Sequence, residues 1–446
     1  MRTIIRKSLV TVLAAVMVGQ LWGCSNSNSS TANSATGSNP SSTANSSTAS
    51  GEVTIVYSTG QDSQNKLEQT LVDKFNQENK GKIHIKYVQL PNDTGKQHDL
   101  YVTDFSAGGS DYDIFTGDCI WPAEFSNAGY VLPIDRFLTK DNINVNDYLP
   151  GAINECKFKG EQWAMPLYVD FPLLFYRTDY VSSAPKTWDD LIKAAKSAKA
   201  KGASMGYVAQ GKQYEGMVCD AIDFIGSYGG TVVDGNGNIT IKSNATVQAL
   251  TEMKKVYTDS GIAPSNINTF EETETNNAFT GGEAALARNW TYMYSNCKLP
   301  SSKVANKFAF AELPMGTKHS ACLGGWTVMI NANSKHPNEA WEFEKWLTGK
   351  EGQKTMAIVG ANSPSLKSTY SDPDVLKANP FFGEEAYKDT ANNAISRPVS
   401  PYYSKLSEIM QIQLSKMLGN QISVTTCVNN MYNEMETEIK TESTKK

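Results

Sequence analysis

Several short stretches place aromatic rings beside hydrogen-bonding groups in glycine-containing or proline-flanked sequence. Trp121 follows Gly117-Asp118, Trp290 and Tyr292 follow Arg288-Asn289, and Trp326 follows Gly324-Gly325. Tyr168 and Asp170 stand in Pro-Leu-Tyr-Val-Asp-Phe-Pro. A pyranose asks for this mixture. Its apolar face stacks on a ring, and its hydroxyl rim needs carboxylates, guanidinium and amides. Each ring taken alone reads equally well as a core residue.

Enzyme constellations are missing by comparison. The four histidines, His84, His98, His319 and His336, form no H-E-x-x-H. No G-x-S-x-G elbow exists. Gly206 to Gln213 approaches a P-loop but lacks the Ser/Thr that holds magnesium. No metal ligand set, catalytic residue or cofactor is assigned. A carboxylate pair for glycoside hydrolysis is a spatial feature, so a hydrolase stays open as the alternative.

The elements that must position these residues alternate between strand and helix. Val53–Tyr57 reads as a strand, and Leu67, Leu71 and Phe75 as one helix face ending near Gly81. Ile83, Ile85 and Tyr87 alternate as a strand, and Tyr112–Thr116 as another. Thr187-x-x-Asp190 is a capping box for a helix over 188–200. Asp234–Asn238 reads as a turn joining Val232-Val233 to Ile239–Ile241. Pro337 suits the first position of a helix with Ala340, Phe343 and Leu347 on one face, and 405–439 reads as largely helical. This alternation predicts an α/β body with partly parallel sheet.

The start of the chain reads as an address. Arg2, Arg6 and Lys7 precede an apolar stretch from Leu9 to Val18, and Leu21-Trp22-Gly23-Cys24 follows. That is a secretory signal over 1–23 ending in a lipobox-like tetrad, with Cys24 the expected lipidation site. Of the 27 residues Ser25–Gly51, 20 are Ser, Thr or Asn and none is charged. Such a segment buries no apolar surface, so residues 24–51 are expected to be a disordered tether. No other long apolar run exists, which excludes a polytopic membrane protein.

Length and composition set outer limits. The 446 residues suit two or three domains, and seven Cys are too few for a disulfide scaffold. Net charge is −5, or 38 − 46 = −8 once Arg2, Arg6 and Lys7 are removed, so no nucleic-acid partner is expected. Excluding Cys24, the six cysteines Cys119, Cys156, Cys219, Cys297, Cys322 and Cys427 permit anything from six buried thiols to three disulfides.

In their order and spacing, several stretches resemble the family 1 extracellular solute-binding proteins of ABC sugar importers, and especially the trehalose/maltose-binding subgroup. They are GDCIWPAEFSNAGYVLPID (117–135), WAMPLYVDFPLLFYRTDY (163–180), TWDDLIKAAK (187–196), YEGMVCDAIDFIGSYGG (214–230), FTGGEAALARNWTYMYS (279–295), LGGWTVMINANSKHPNEAWEFEKWLT (323–348) and ISRPVSPYYSKLS (395–407). The resemblance runs from about Val53 to the C-terminus.

It implies a two-lobed periplasmic-binding-protein type 2 fold with a hinged ligand cleft. The implied lobes are 52–169 plus 313–348 and 170–312 plus 349–446, with crossings near Asp170, near Pro314 and after Leu347. The implied function is capture of a di- or oligosaccharide and its delivery to a membrane permease. The protein would be a monomer, lipid-anchored outside the cell membrane, or periplasmic in a two-membrane cell. A sugar-sensing accessory protein for a membrane kinase is a further alternative. Residue by residue, Asp118 matches a carboxylate that accepts sugar hydroxyls. Tyr168 and Asp170 match an aromatic–carboxylate pair. Trp290 and Tyr292 match stacking rings, Gly325 and Trp326 the loop that closes on the sugar, and Arg397 a donor from the last segment. Gln64 falls where the subgroup often has a carboxylate, and His98 where it often has Arg. Tyr214 and Glu215 are possible extra contacts.

Overall fold

The computed structural model describes residues 51–61, 66–234 and 238–444. The expected signal peptide, Cys24, the tether up to Ser50 and Gln64 lie outside the described residues. Alternating burial drives the first strand, Val53–Gly60, where Ile55 and Tyr57 are fully buried. The helix Leu67–Glu78 follows, burying Leu67, Leu71, Val72 and Phe75 on one stripe, and the strand Ile83–Leu90 pairs parallel to the first. The strand expected over 112–116 lies at Ile114–Asp118 and is buried throughout.

These strands belong to a six-stranded sheet. Its order is Ser363–Pro364, Met165–Asp170, Gly324–Ile330, Ile114–Asp118, Val53–Gly60, Ile83–Leu90. Gly324–Ile330 runs antiparallel between Ile114–Asp118 and Met165–Asp170. A second sheet has the order Phe308–Ala311, Pro172–Arg177, Ala284–Trp290, Met205–Val208. Only Phe171 separates the first-sheet strand ending at Asp170 from the second-sheet strand starting at Pro172. Residues 349–446 contribute Ser363–Pro364 to the first sheet, as well as the helices Tyr403–Leu418 and Val424–Thr444.

Each sheet has its own packed interior. On the first, Trp341 stacks on Phe137 at 5.3 Å and Phe343 meets Tyr57 edge-on at 5.1 Å. On the second, Trp188 stacks on Phe224 at 4.0 Å. The Trp188–Ala200 helix opens as its sequence predicts. The Thr187 hydroxyl accepts the Asp190 N–H at 3.2 Å and donates to the Asp190 carboxylate at 2.8 Å. Pro337 begins the helix Pro337–Thr348, with Ala340, Phe343 and Leu347 buried. Val233 and Ile239 bridge antiparallel across the expected turn. No described helix is long and apolar enough to cross a membrane.

Gly325 shows how tightly the central strand fits. Its φ is +144°, and a Cβ there would sit 2.5 Å from the Tyr168 carbonyl oxygen on the facing strand. Gly325→Ala is therefore expected to cost about 2 kcal/mol or more of folding stability. Urea unfolding would read this as a lower midpoint at unchanged slope.

Candidate functional site

A cleft of about 1290 Å³, counted out to its open mouth, lies where strand ends of the two sheets meet. The six-stranded sheet supplies Thr59, Asp118, Tyr168, Asp170 and the run Gly324–Trp326. The second sheet supplies Trp290, just before Tyr292. The helix Glu215–Ser227 adds Glu215 at its first turn, and Arg397 comes from the segment after Ala394–Ile395. Every described residue of the expected ligand set lines this cleft: Asp118, Tyr168, Asp170, Trp290, Tyr292, Gly325, Trp326 and Arg397. Gln64 lies outside the described residues. Trp121 belongs to the core instead. It is 3% exposed and packs on Phe125, His98 and Trp326.

Arg397 is the electrostatic centre of the floor. Its Nη2 donates to Asp118 Oδ1 at 2.6 Å, and its Nη1 to Glu215 Oε1 at 2.8 Å. Asp118 ends a strand of the first sheet and Glu215 opens a helix packed on the second, so one guanidinium ties the two lobes. Tyr403 donates to Glu215 Oε1 at 2.9 Å, and Ser407 donates to Oε2. Burial still pushes the Glu215 carboxyl up, against the pull of Arg397. Glu155, buried in the same neighbourhood, is pushed up to about 8, chiefly by burial. A neutral Glu155 leaves two carboxylates facing one guanidinium. Arg397, expected to donate to ligand, here donates to the protein carboxylates and to the Cys119 sulfur at 2.9 Å.

The wall opposite is built around Trp290. Its indole N–H donates to Glu272 Oε1 at 3.2 Å, while the Tyr214 hydroxyl donates to Glu272 Oε2 at 2.7 Å. The Arg288 guanidinium carbon lies 4.3 Å from the Trp290 ring centroid. Gly324 packs against the ring, where a Cβ would come within 3.0 Å of it. The half-buried indole is thus fixed by a hydrogen bond, a cation and a glycine. Arg288 is itself buried against Asp220 at 3.0 Å and Asp223 at 2.9 Å. At the mouth, Lys212 pairs with Glu271 and approaches Asp93 at 3.7 Å. Asp93 caps the helix Thr94–Ser106 of the first lobe, so this contact also crosses the cleft.

Asp170 sits at the junction between the sheets. Its Oδ1 accepts the Thr291 hydroxyl at 2.6 Å, the Thr291 N–H at 3.0 Å and the Phe171 N–H at 3.0 Å. Burial outweighs these donors and pushes its pKa up to about 6. Two opposite pH effects follow. The unfolded carboxyl titrates near 3.9, so the folded state binds the proton more tightly, and this group's contribution to stability falls as pH rises from about 4 to about 6. Ligand hydroxyls need the ionised acceptor, so affinity is expected to weaken as pH falls through 6. Titration calorimetry at pH 7.5 and 5 would show it, and Asp170→Asn should flatten that dependence.

Other lining residues were not singled out from sequence. Glu68 accepts the Tyr57 hydroxyl at 3.1 Å, and Glu68, Glu271, Glu272, Asn92, Thr94 and Gln97 all line the cleft. Tyr214 and Glu215, noted as possible contacts, line it too. His98, at a subgroup Arg position, does not line it and pairs with Glu124 at 2.9 Å. The six cysteines from Cys119 to Cys427 are buried thiols. No described group of His, Cys, Asp and Glu is placed to hold a metal ion.

Two α/β lobes meeting at a ring-lined, carboxylate-rich cleft define a ligand receptor of the two-lobed binding-protein class. The profile of the bacterial extracellular solute-binding proteins matches residues 59–354. A probable ABC transporter-binding protein of Deinococcus radiodurans is 34% identical over 338 residues, which are 73% of this chain and 79% of that protein. The maltose-bound structure of T. maritima MalE3 superposes with a TM-score of 0.80 at 32% identity, covering 86% of this chain and 99% of that one. The GacH receptor of Streptomyces glaucescens shares the fold, with a TM-score of 0.79 at 22% identity over 87% of this chain and 99% of that one. The chain belongs to the bacterial extracellular solute-binding protein family. Like its relatives, it is a binding protein of an ABC transporter and not an enzyme.

Proposed function

We propose that this protein captures a di- or oligosaccharide of the maltose/trehalose type in the cleft and delivers it to a membrane permease. The observation that carries this reading is the lining itself. Tyr168, Trp290, Tyr292 and Trp326 face one cavity with Asp118, Asp170 and Glu272. Rings match the apolar faces of a pyranose, and carboxylates match its hydroxyl rim. The maltose bound in the T. maritima relative supports the same class of ligand. In this reading Asp118 and Asp170 accept sugar hydroxyls, and Gln64, outside the described residues, is proposed as a further acceptor. The rings stack, Gly325 and Trp326 shape the closing strand, and Arg397 orients the two carboxylates it bridges.

The proposed lobes are 52–169 plus 313–348 and 170–312 plus 349–446, with Ser363–Pro364 the exception that pairs back into the first sheet, and the proposed hinge includes the Asp170–Pro172 crossing. Ligand contacts to both lobes favour the closed population. Cleavage after Gly23 and lipidation of Cys24 would hold the monomer on the outer face of the cell membrane, with 24–51 as the tether. A thermal-shift screen against maltose, trehalose, maltotriose, sucrose, cellobiose and xylobiose tests the reading, with peptides and polyamines as controls. The expected result is a saturable rise for one sugar group. A rise only with a peptide or polyamine would overturn it.

A further inference from the structure

The helix Thr94–Ser106 buries one stripe, Gln97, Tyr101 and Phe105, at 1%, 0% and 3% exposure. Residues four apart share a helix face, so an amide stands where this stripe calls for an apolar side chain. The stripe reaches the cleft at the N-terminal end of the helix, where Thr94 and Gln97 are lining residues. The Gln97 amide packs over Gly60. A Cβ there would stand 3.1 Å from Gln97 Nε2 and 3.0 Å from Asn92 Oδ1. Gln97 Oε1 is buried and has no hydrogen-bond partner within the protein. Neighbouring hydroxyls are engaged with one another. Those of Tyr101 and Ser58 lie 3.1 Å apart, and Thr116 donates to Thr59 Oγ1 at 2.7 Å. Among the described residues lining the cleft, only Arg397 Nε shares this condition, on a guanidinium whose other nitrogens already hold carboxylates. A buried acceptor left unmet costs free energy, so such a group in a ligand cleft favours a ligand that brings a donor.

We propose that Gln97 Oε1 accepts a hydrogen bond from one hydroxyl of the bound sugar and selects for sugars that carry that hydroxyl. This rests on the sugar reading above and adds a neutral acceptor to the carboxylates of the cleft. Because Oε1 has no partner within the chain, the bond to ligand displaces none inside the protein. A sugar lacking the hydroxyl seals the amide oxygen in the closed cleft with nothing to accept. Discrimination therefore comes as much from rejecting the deoxy sugar as from holding the complete one. Gly60 contributes by having no side chain, which leaves room for the amide beside the strand end.

The test compares the exported protein with Gln97→Met and Gln97→Glu by calorimetry against maltose, trehalose, maltotriose and monodeoxy analogues of each. Methionine keeps the length of the side chain without the acceptor, and glutamate keeps an oxygen there. Gln97→Met should bind the parent sugar roughly tenfold more weakly than wild type. One monodeoxy analogue should lose a similar factor on wild type and nothing on Gln97→Met, so that the two losses do not add. Gln97→Glu should again distinguish the parent from that analogue. The urea midpoint of Gln97→Met should equal or exceed that of wild type, because no internal hydrogen bond is removed. Unchanged affinity in Gln97→Met, or a loss shared equally by the parent and every analogue, would overturn the proposal and leave the sugar reading standing. A Gln97→Met protein that unfolds at lower urea would mark the amide as a core residue and overturn it too. Wild type that binds none of the three sugars would bring down both readings together.

Discussion

Trp290→Ala should weaken binding of the sugar by roughly 100-fold, equivalent to about 2.7 kcal/mol. The ring is held on three sides before any ligand arrives. Glu272 fixes its N–H at 3.2 Å, Arg288 lies 4.3 Å from its centroid, and Gly324 allows close approach. A preorganised ring loses little rotamer freedom on binding, so most of its stacking contributes to affinity. Truncation removes the stacking surface and leaves Glu272 with one donor fewer. Trp290→Phe keeps a flat face and loses only the N–H, so it should recover most of the affinity. Calorimetry on the three proteins gives the comparison. Equal affinity for wild type and Trp290→Ala would show that the ring is core and not a ligand platform.

Arg397→Ala should be the most destabilising change in the cleft, by about 3–5 kcal/mol. The side chain bridges Asp118 at 2.6 Å and Glu215 at 2.8 Å, and all three residues are less than 10% exposed. Without it, two carboxylates are buried against each other with no cation between them. Arg397→Lys should restore only part of the loss, because an ammonium lacks the fork that spans both partners. The variant carries a pH signature as well. Unpaired buried carboxylates have raised folded-state pKa values, so protonation stabilises the folded variant. The gap between wild type and Arg397→Ala should therefore narrow as pH falls from 7 toward 4.5. Chemical denaturation at the two pH values reads it. A gap independent of pH would place the cost in lost packing instead of stranded charge.

The parts of this arrangement legible in sequence are those set by local pattern or by a ring beside a polar group. The period of four over Leu67, Leu71 and Phe75 and the Thr187–Asp190 cap are local facts, and the helices lie where they indicate. Trp326, Gly325, Tyr168 and Asp170 come together because two strands pair in register, Trp326 against Tyr168 and Gly324 against Asp170. Local pattern could nominate each strand but not their pairing. Glu68, Glu271 and Glu272 are missed for a related reason. An acid in the first turn of a helix reads as dipole compensation, and only the tertiary fold turns it toward a cavity. Trp121 fails in the opposite direction. Its Gly-Asp context looks like a loop, yet Phe125, His98 and Trp326 enclose it. The bridging role of Arg397 needed both of its partners, one from each lobe, to be placed in space.

The central claim is that the cleft between the sheets is a sugar receptor site without hydrolytic turnover. Titration of the exported protein with maltose, trehalose and maltotriose, followed by chromatography of the recovered sugar, tests it most directly. The account predicts one-to-one saturable binding of at least one of them, recovered intact, and lost or weakened in Trp290→Ala. No heat with any of the three sugars, or recovery of the sugar as cleaved products, would contradict it.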